Sequence, residues 1–155
     1  MVRSCNSYIE VTTLATGKYH DQEINVCPAF QRGSVHKGIW SKTEQRKYIQ
    51  SLLQNFPTGI LVLVKSTGSN TFVVLDGANR FRAIRDYKQD KFEVEYNNKQ
   101  DNNNNKKMSN FKNLDAETRA QFNNMHIPVQ FITIENTDPG SIISEMFINL
   151  NVSAK

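Results

Sequence analysis

Apolar positions along this chain recur with two different periods, and the alternation between them outlines the fold. Ile60-Leu61-Val62-Leu63-Val64 and Thr71-Phe72-Val73-Val74-Leu75 are near-continuous apolar runs of strand length, separated by a Ser-Thr-Gly-Ser-Asn turn. They predict a hairpin of central strands covered on both faces. Residues 8–14 and 23–27 alternate and are rich in β-branched side chains, which predicts two further strands joined by a loop holding Gly17. Helical spacing takes over between these pairs: Tyr48, Ile49, Leu52, Leu53 and Phe56 share one face behind Ser41-Lys42-Thr43-Glu44, which has capping-box spacing. Pro57 and Gly59 read as the stop of that helix. A second helical pattern runs from Phe81 to Tyr87.

Farther on, Asp115 is placed to cap a helix through Phe122, and Ile127 to Ile134 alternates as a strand. Asp138-Pro139 has the form of an N-cap with a first-turn proline, for a helix from about Gly140 to Leu150. Interleaved strands and helices imply an α/β (α+β) domain, a mixed sheet flanked by helices, and 155 residues suit a single domain over 1–155. The Asn/Lys-rich run 97–107 has nothing to bury and is expected to be a disordered insert.

Charge sharpens this outline once it is located. Residues 31–91 carry 11 Lys and Arg against 4 Asp and Glu, a local charge of +7, while the rest carries 8 against 11, or −3. A field of that sign draws phosphate-bearing partners, a nucleotide or a nucleic-acid backbone. It is equally the field of a lysine-rich solvated surface. No apolar run approaches the ~20 residues of a membrane span and no signal-peptide core follows Met1, so a soluble, intracellular protein, cytoplasmic or nuclear rather than secreted, is expected. Cys5 and Cys27 form neither a disulfide framework nor a zinc pattern, and Cys27 is expected to be a small buried apolar residue. His20, His36 and His126 are scattered, and no Ser-His-Asp, HExxH, Walker A or CxxC arrangement occurs.

The strongest chemical signal is Asp76-Gly77-Ala78-Asn79-Arg80, between a strand pattern and a helical one. A tight turn on a helix N-terminus presents unpaired backbone N–H groups and the positive end of the helix dipole, and Gly77 lets the backbone approach a guest closely. Arg80 adds a charged donor. Asp76 either accepts hydrogen bonds within its own turn or holds Mg²⁺ through water. Asn79 is suited to position water or a base edge, although an amide is no general base. Arg82 and Arg85 lie roughly 160–220° round the helix from Arg80. They suit pairing with Asp86 or Asp90, or contact with a nucleic-acid backbone, as do Lys37 and Lys42 in the basic stretch. Gln31 and Arg32 end the strand pattern 23–27 and its extension. Arg32 could bind phosphate through its planar fork and Gln31 could orient it; a surface ion pair is the plainer alternative.

The order Gln31-Arg32, helix, strand hairpin, Gly-x-x-Arg helix start resembles the ParB/sulfiredoxin-like superfamily. Within it the chain is most similar to the ParB-like N-terminal domain of GmrSD-type modification-dependent restriction enzymes. The matching residues are Pro28-Ala29-Phe30-Gln31-Arg32, Trp40, Asp76-Gly77-Ala78-Asn79-Arg80 and Phe147-Ile148-Asn149-Leu150-Asn151. The resemblance implies a ParB/sulfiredoxin-like fold and binding of a nucleoside triphosphate, with Mg²⁺, by Gln31, Arg32, Gly77, Ala78 and Arg80. It also implies service to DNA processing beside a separate nuclease domain or subunit, since no His-Asn-His motif is present. Ala78 stands where ParB carries a glutamate linked to hydrolysis and sulfiredoxin its reactive cysteine. This excludes peroxiredoxin repair and leaves at most a weak NTPase, with Asp76 and Asn79 as the candidate catalytic groups. A non-enzymatic nucleic-acid-binding module using the basic face of residues 31–91 is the alternative. Because the resembled domain continues into further helices, the chain is either truncated at its C-terminus or a minimal version.

Overall fold

The computed structural model describes residues 2–26, 38–98, 106–135, 142–146 and 148–149. Six strands form a mixed sheet in the order β1-β8-β4-β5-β3-β2. β4 (Leu61–Ser66) and β5 (Thr71–Asp76) are the predicted hairpin and occupy its centre. β8 (His126–Ile134) runs parallel to β4, and β3 (Gln22–Val26) runs parallel to β5, with Val26 opposite Val74. β1 (Val2–Glu10) closes one edge against β8, and the short β2 (Lys18–Tyr19) closes the other.

Both faces of the central strands are covered, as their unbroken apolarity requires. Leu61, Leu63, Phe72 and Val74 pack into the larger core with side chains from four helices. These are α1 (Val11–Leu14), α2 (Lys42–Leu53), α3 (Ala78–Lys88) and α4 (Ala116–Asn123). On the opposite face, Val62, Val64 and Leu75 pack with Ile132, Ile134 and Ile143. Residues 142–146 and 148–149 are helical, in agreement with the helix expected there, whereas its proposed cap, Asp138-Pro139, lies outside the described residues.

Two expectations about local structure are corrected. The strand read over 8–14 belongs to β1 only as far as Glu10, and Val11–Leu14 is a helical turn, α1. Val11 and Leu14 are both fully buried, and the Val11 N–H donates to the Met125 carbonyl, so the chain turns under the sheet where alternation was read. The Asn/Lys-rich run is not unstructured throughout. β6 (Val94–Asn97) pairs with β7 (Lys106–Ser109), Tyr96 facing Lys107 and Asn97 facing Lys106, while residues 99–105 lie outside the described residues. Arg46 Nε and Gln50 Nε2 donate to the Glu93 and Glu95 carbonyls, which ties this polar hairpin to α2. Lys112 N–H donates to Asp90 after β7, and a 3-10 turn at Phe111–Asn113 leads to α4.

Candidate functional site

β5 ends at Asp76 in the middle of the sheet, and the chain then turns into α3 through Gly77, whose φ of +96° favours glycine. A Cβ at Gly77 would also overlap the Leu61 side chain, so two constraints select the same residue. Ala78, Phe81, Ile84 and Tyr87 are buried along α3 and hold its inner face on the core. The first intrahelical bond runs from Phe81 N–H to the Gly77 carbonyl at 2.9 Å, and Gly77 offers no side-chain cap to the N–H groups before it.

Arg80 lies across this turn with its side chain 22 % exposed. Its Nη1 donates to the Thr58 carbonyl at 3.0 Å, and its Nη2 stands 3.7 Å from Asp76 Oδ2. The Asp76 side chain is 53 % exposed, so this pair is open to water and screened. Tyr48 lies beside the same cluster with a buried hydroxyl that forms no well-aligned hydrogen bond among the described residues. Burial pushes its phenol up to about 12, against the opposing Arg80 charge and the neighbouring Thr58 hydroxyl. The group is therefore neutral at physiological pH.

Other predicted site residues have different environments. Ala78 is 2 % exposed, with its methyl in the core, so only its backbone can face a guest. Asn79 is already engaged: Oδ1 accepts from the Trp40 N–H at 3.0 Å and from Arg82 Nη1 at 3.4 Å, and Nδ2 donates to the Gly38 carbonyl at 3.1 Å. It clamps the segment leading into α2 rather than holding water or a base edge. Trp40 packs on the core with its ring 5.5 Å from that of Tyr48. Arg82 is partly buried, and burial together with Arg85 lowers its pKa against the opposing pull of Asp86. Arg85 Nε lies 3.4 Å from Asp86 Oδ1, the internal pairing weighed above, and its guanidinium lies over the Phe81 ring. Lys42 Nζ stands over the Phe92 ring at 5.1 Å. Gln31, Arg32, Lys37 and Cys27 lie outside the described residues.

Thr58, Gly59 and Tyr48 are the site neighbours that sequence patterns did not single out. Gly59 was read as the helix stop, yet α2 ends at Leu53, and Asn55, at φ +62°, takes the left-handed position just beyond it. A glycine six residues past the true terminus, with φ +76°, was the available signal of another role. Among the described residues no group of three or more His, Cys, Asp or Glu could hold a metal ion, and no helix is long and apolar enough to cross a membrane. A separate cleft of about 260 Å³ lies between the end of α2 and the β6–β7 hairpin, lined by Gln50, Gln54, Glu95 and Lys106 among others, with no residue of the turn.

No curated protein and no solved structure matches the chain. A family model does, over residues 15–155, a span that takes in the Gln-Arg segment, Trp40, the Gly77 turn and the late asparagines. The chain belongs to the family described as GmrSD restriction endonuclease, N-terminal domain.

Proposed function

We propose that this domain binds a nucleoside triphosphate at the Gly77 turn and thereby serves a restriction endonuclease acting on DNA, with cleavage carried out by a separate nuclease domain or subunit. The observation that carries this reading is the α3 N-terminus, which opens on Gly77 with no side-chain cap while Arg80 is held across its mouth. Backbone N–H donors, the helix dipole and a guanidinium then converge on one place, a combination suited to phosphate oxygens. Gln31 and Arg32 would add further phosphate contacts.

The donor set fits Mg²⁺ only as a passenger of the nucleotide. Asp76 is the one carboxylate of the turn, and Mg²⁺ commonly enters such sites on phosphate oxygens with one or two carboxylates. When bound, the ion would neutralise phosphate charge. Turnover should be slow or absent. The Ala78 methyl sits in the core and the Asn79 amide holds backbone, so neither can activate water, and general base catalysis is typically worth about 10²–10⁴-fold. Binding to a DNA backbone through the basic face is less well supported, because Arg82, Arg85 and Lys42 are engaged with Asn79, Asp86 and Phe92.

Calorimetric titration with ATP, GTP and CTP, with and without Mg²⁺, tests the reading, alongside assay of phosphate release. Binding of at least one nucleotide with little release is expected. Silence with all three, together with DNA binding that weakens steeply with salt, would favour the backbone-binding alternative.

A further inference from the structure

We propose that Thr58 and Gly59 form a seat that holds the Arg80 guanidinium at the mouth of the α3 turn, making Gly59 a positioning residue for phosphate; this rests on the reading of that turn as the nucleotide site. A free arginine carries several rotatable bonds, and ordering it on binding weakens the complex. Here the guanidinium is already fixed. The Thr58 carbonyl accepts from Nη1, and Asp76 stands beside Nη2. Gly59 lies directly against Nη1, so closely that any Cβ there would overlap it. The buried Tyr48 phenol, beside both Thr58 and Arg80, is neutral and adds no competing charge.

Gly59 is not needed to end α2, since Asn55 does so. Its lack of a side chain instead lets the guanidinium settle on the backbone between α2 and β4. The weak, half-exposed contact with Asp76 leaves Nη2 available for an incoming phosphate oxygen, while the Thr58 bond keeps the planar fork oriented. Alanine at position 59 would force Nη1 off the Thr58 carbonyl.

The backbone strain of Gly59→Ala must be separated from the loss of the seat, and Gly68 supplies the control. It has φ +86° in the β4–β5 turn and open space around its Cα, so Gly68→Ala imposes comparable strain without touching Arg80. The full 155-residue chain and both variants are titrated with ATP, GTP and CTP, and thermal melts are recorded. For whichever nucleotide binds the parent, Gly59→Ala should weaken affinity about tenfold or more, as expected for a displaced charge-assisted contact, while Gly68→Ala stays within about twofold. Parental affinity in folded Gly59→Ala, or an equal loss in Gly68→Ala, would overturn the seat. NMR of the parent's Arg80 side chain gives a second measurement that needs no variant. Hindered rotation with resolved Nη signals is expected, and free rotation would overturn the proposal. If the parent binds none of the nucleotides, the nucleotide reading fails, while the Arg80 signals still decide whether the seat exists.

Discussion

The starts of α2 and α3 solve the same problem in opposite ways. Every α-helix begins with N–H groups that have no partner within the helix. At α2 the chain supplies its own: the Glu44 N–H donates to Ser41 Oγ at 3.2 Å, and the Glu44 carboxylate reaches back to the Ser41 N–H, closing a capping box. α4 is likewise closed by Asp115, which accepts from Thr118 N–H at 2.8 Å. At α3 the cap position holds Gly77, which has no side chain to offer. Relative to a Ser, Thr, Asn or Asp cap, glycine costs roughly a few tenths of a kcal/mol, and α3 buries five residues on its inner face against three for α2. Among the three longer helices, α2, α3 and α4, the side-chain cap is missing at the start beside Arg80 and present at the other two.

Four changes test that contrast, the first with the largest expected effect. Ala78→Glu would restore the acid found at the equivalent place in ParB, but this side chain lies in the core. The prediction is a loss of about 3–5 kcal/mol in denaturant unfolding, as for an uncompensated buried charge, with no gain in phosphate release. A stable, hydrolysing variant would show that the start of α3 can reorganise. Arg80→Ala should lower nucleotide affinity by about 1.5–3 kcal/mol in calorimetry and cost about 1 kcal/mol of stability through the lost bond to the Thr58 carbonyl, leaving the chain folded. Unfolding instead of a binding defect would assign Arg80 to architecture.

Ser41→Ala removes a cap that acts only on its own helix. It should cost about 1 kcal/mol of stability, read from the shift in midpoint, and leave nucleotide affinity as in the parent. Coupling between the two starts would appear as a change in affinity. The smallest effect is expected from replacing residues 97–107 with a short Gly-Ser link. This deletes the Tyr96–Lys107 and Asn97–Lys106 pairs at the end of a hairpin that otherwise stays paired. A loss on the order of 1 kcal/mol or less should follow, with binding intact.

Where burial dictates a residue, the element could be read from sequence. β4 and β5 had to be central because both faces are apolar, and the capping box marked the start of α2 to the residue. Where backbone pairing alone makes the element, it could not. Val2 to Asn6 form a strand because β8 supplies hydrogen-bond partners along the edge, and their side chains, all exposed, leave no alternation to detect. Asn97 and Lys106 are paired for the same reason.

The candidate site divides along a similar line. The Gly77 turn and Arg80 stood out because strand and helix patterns meet there. The roles of Asn79 and Gly59 depend on segments 21 to 41 residues away in sequence, Gly38 and Trp40 for one and Arg80 for the other. No local pattern encodes a contact of that range. The same long reach explains why Asn79, suited by composition to water or a base, proved to be a backbone clamp.

That clamp turns one backbone amide into a reporter of local opening. The Trp40 N–H is held by Asn79 Oδ1, and Asn79 Nδ2 holds the Gly38 carbonyl, so the amide exchanges with solvent only when the entry to α2 parts from the start of α3. Its hydrogen-exchange rate therefore measures the free energy of opening beside the Gly77 turn.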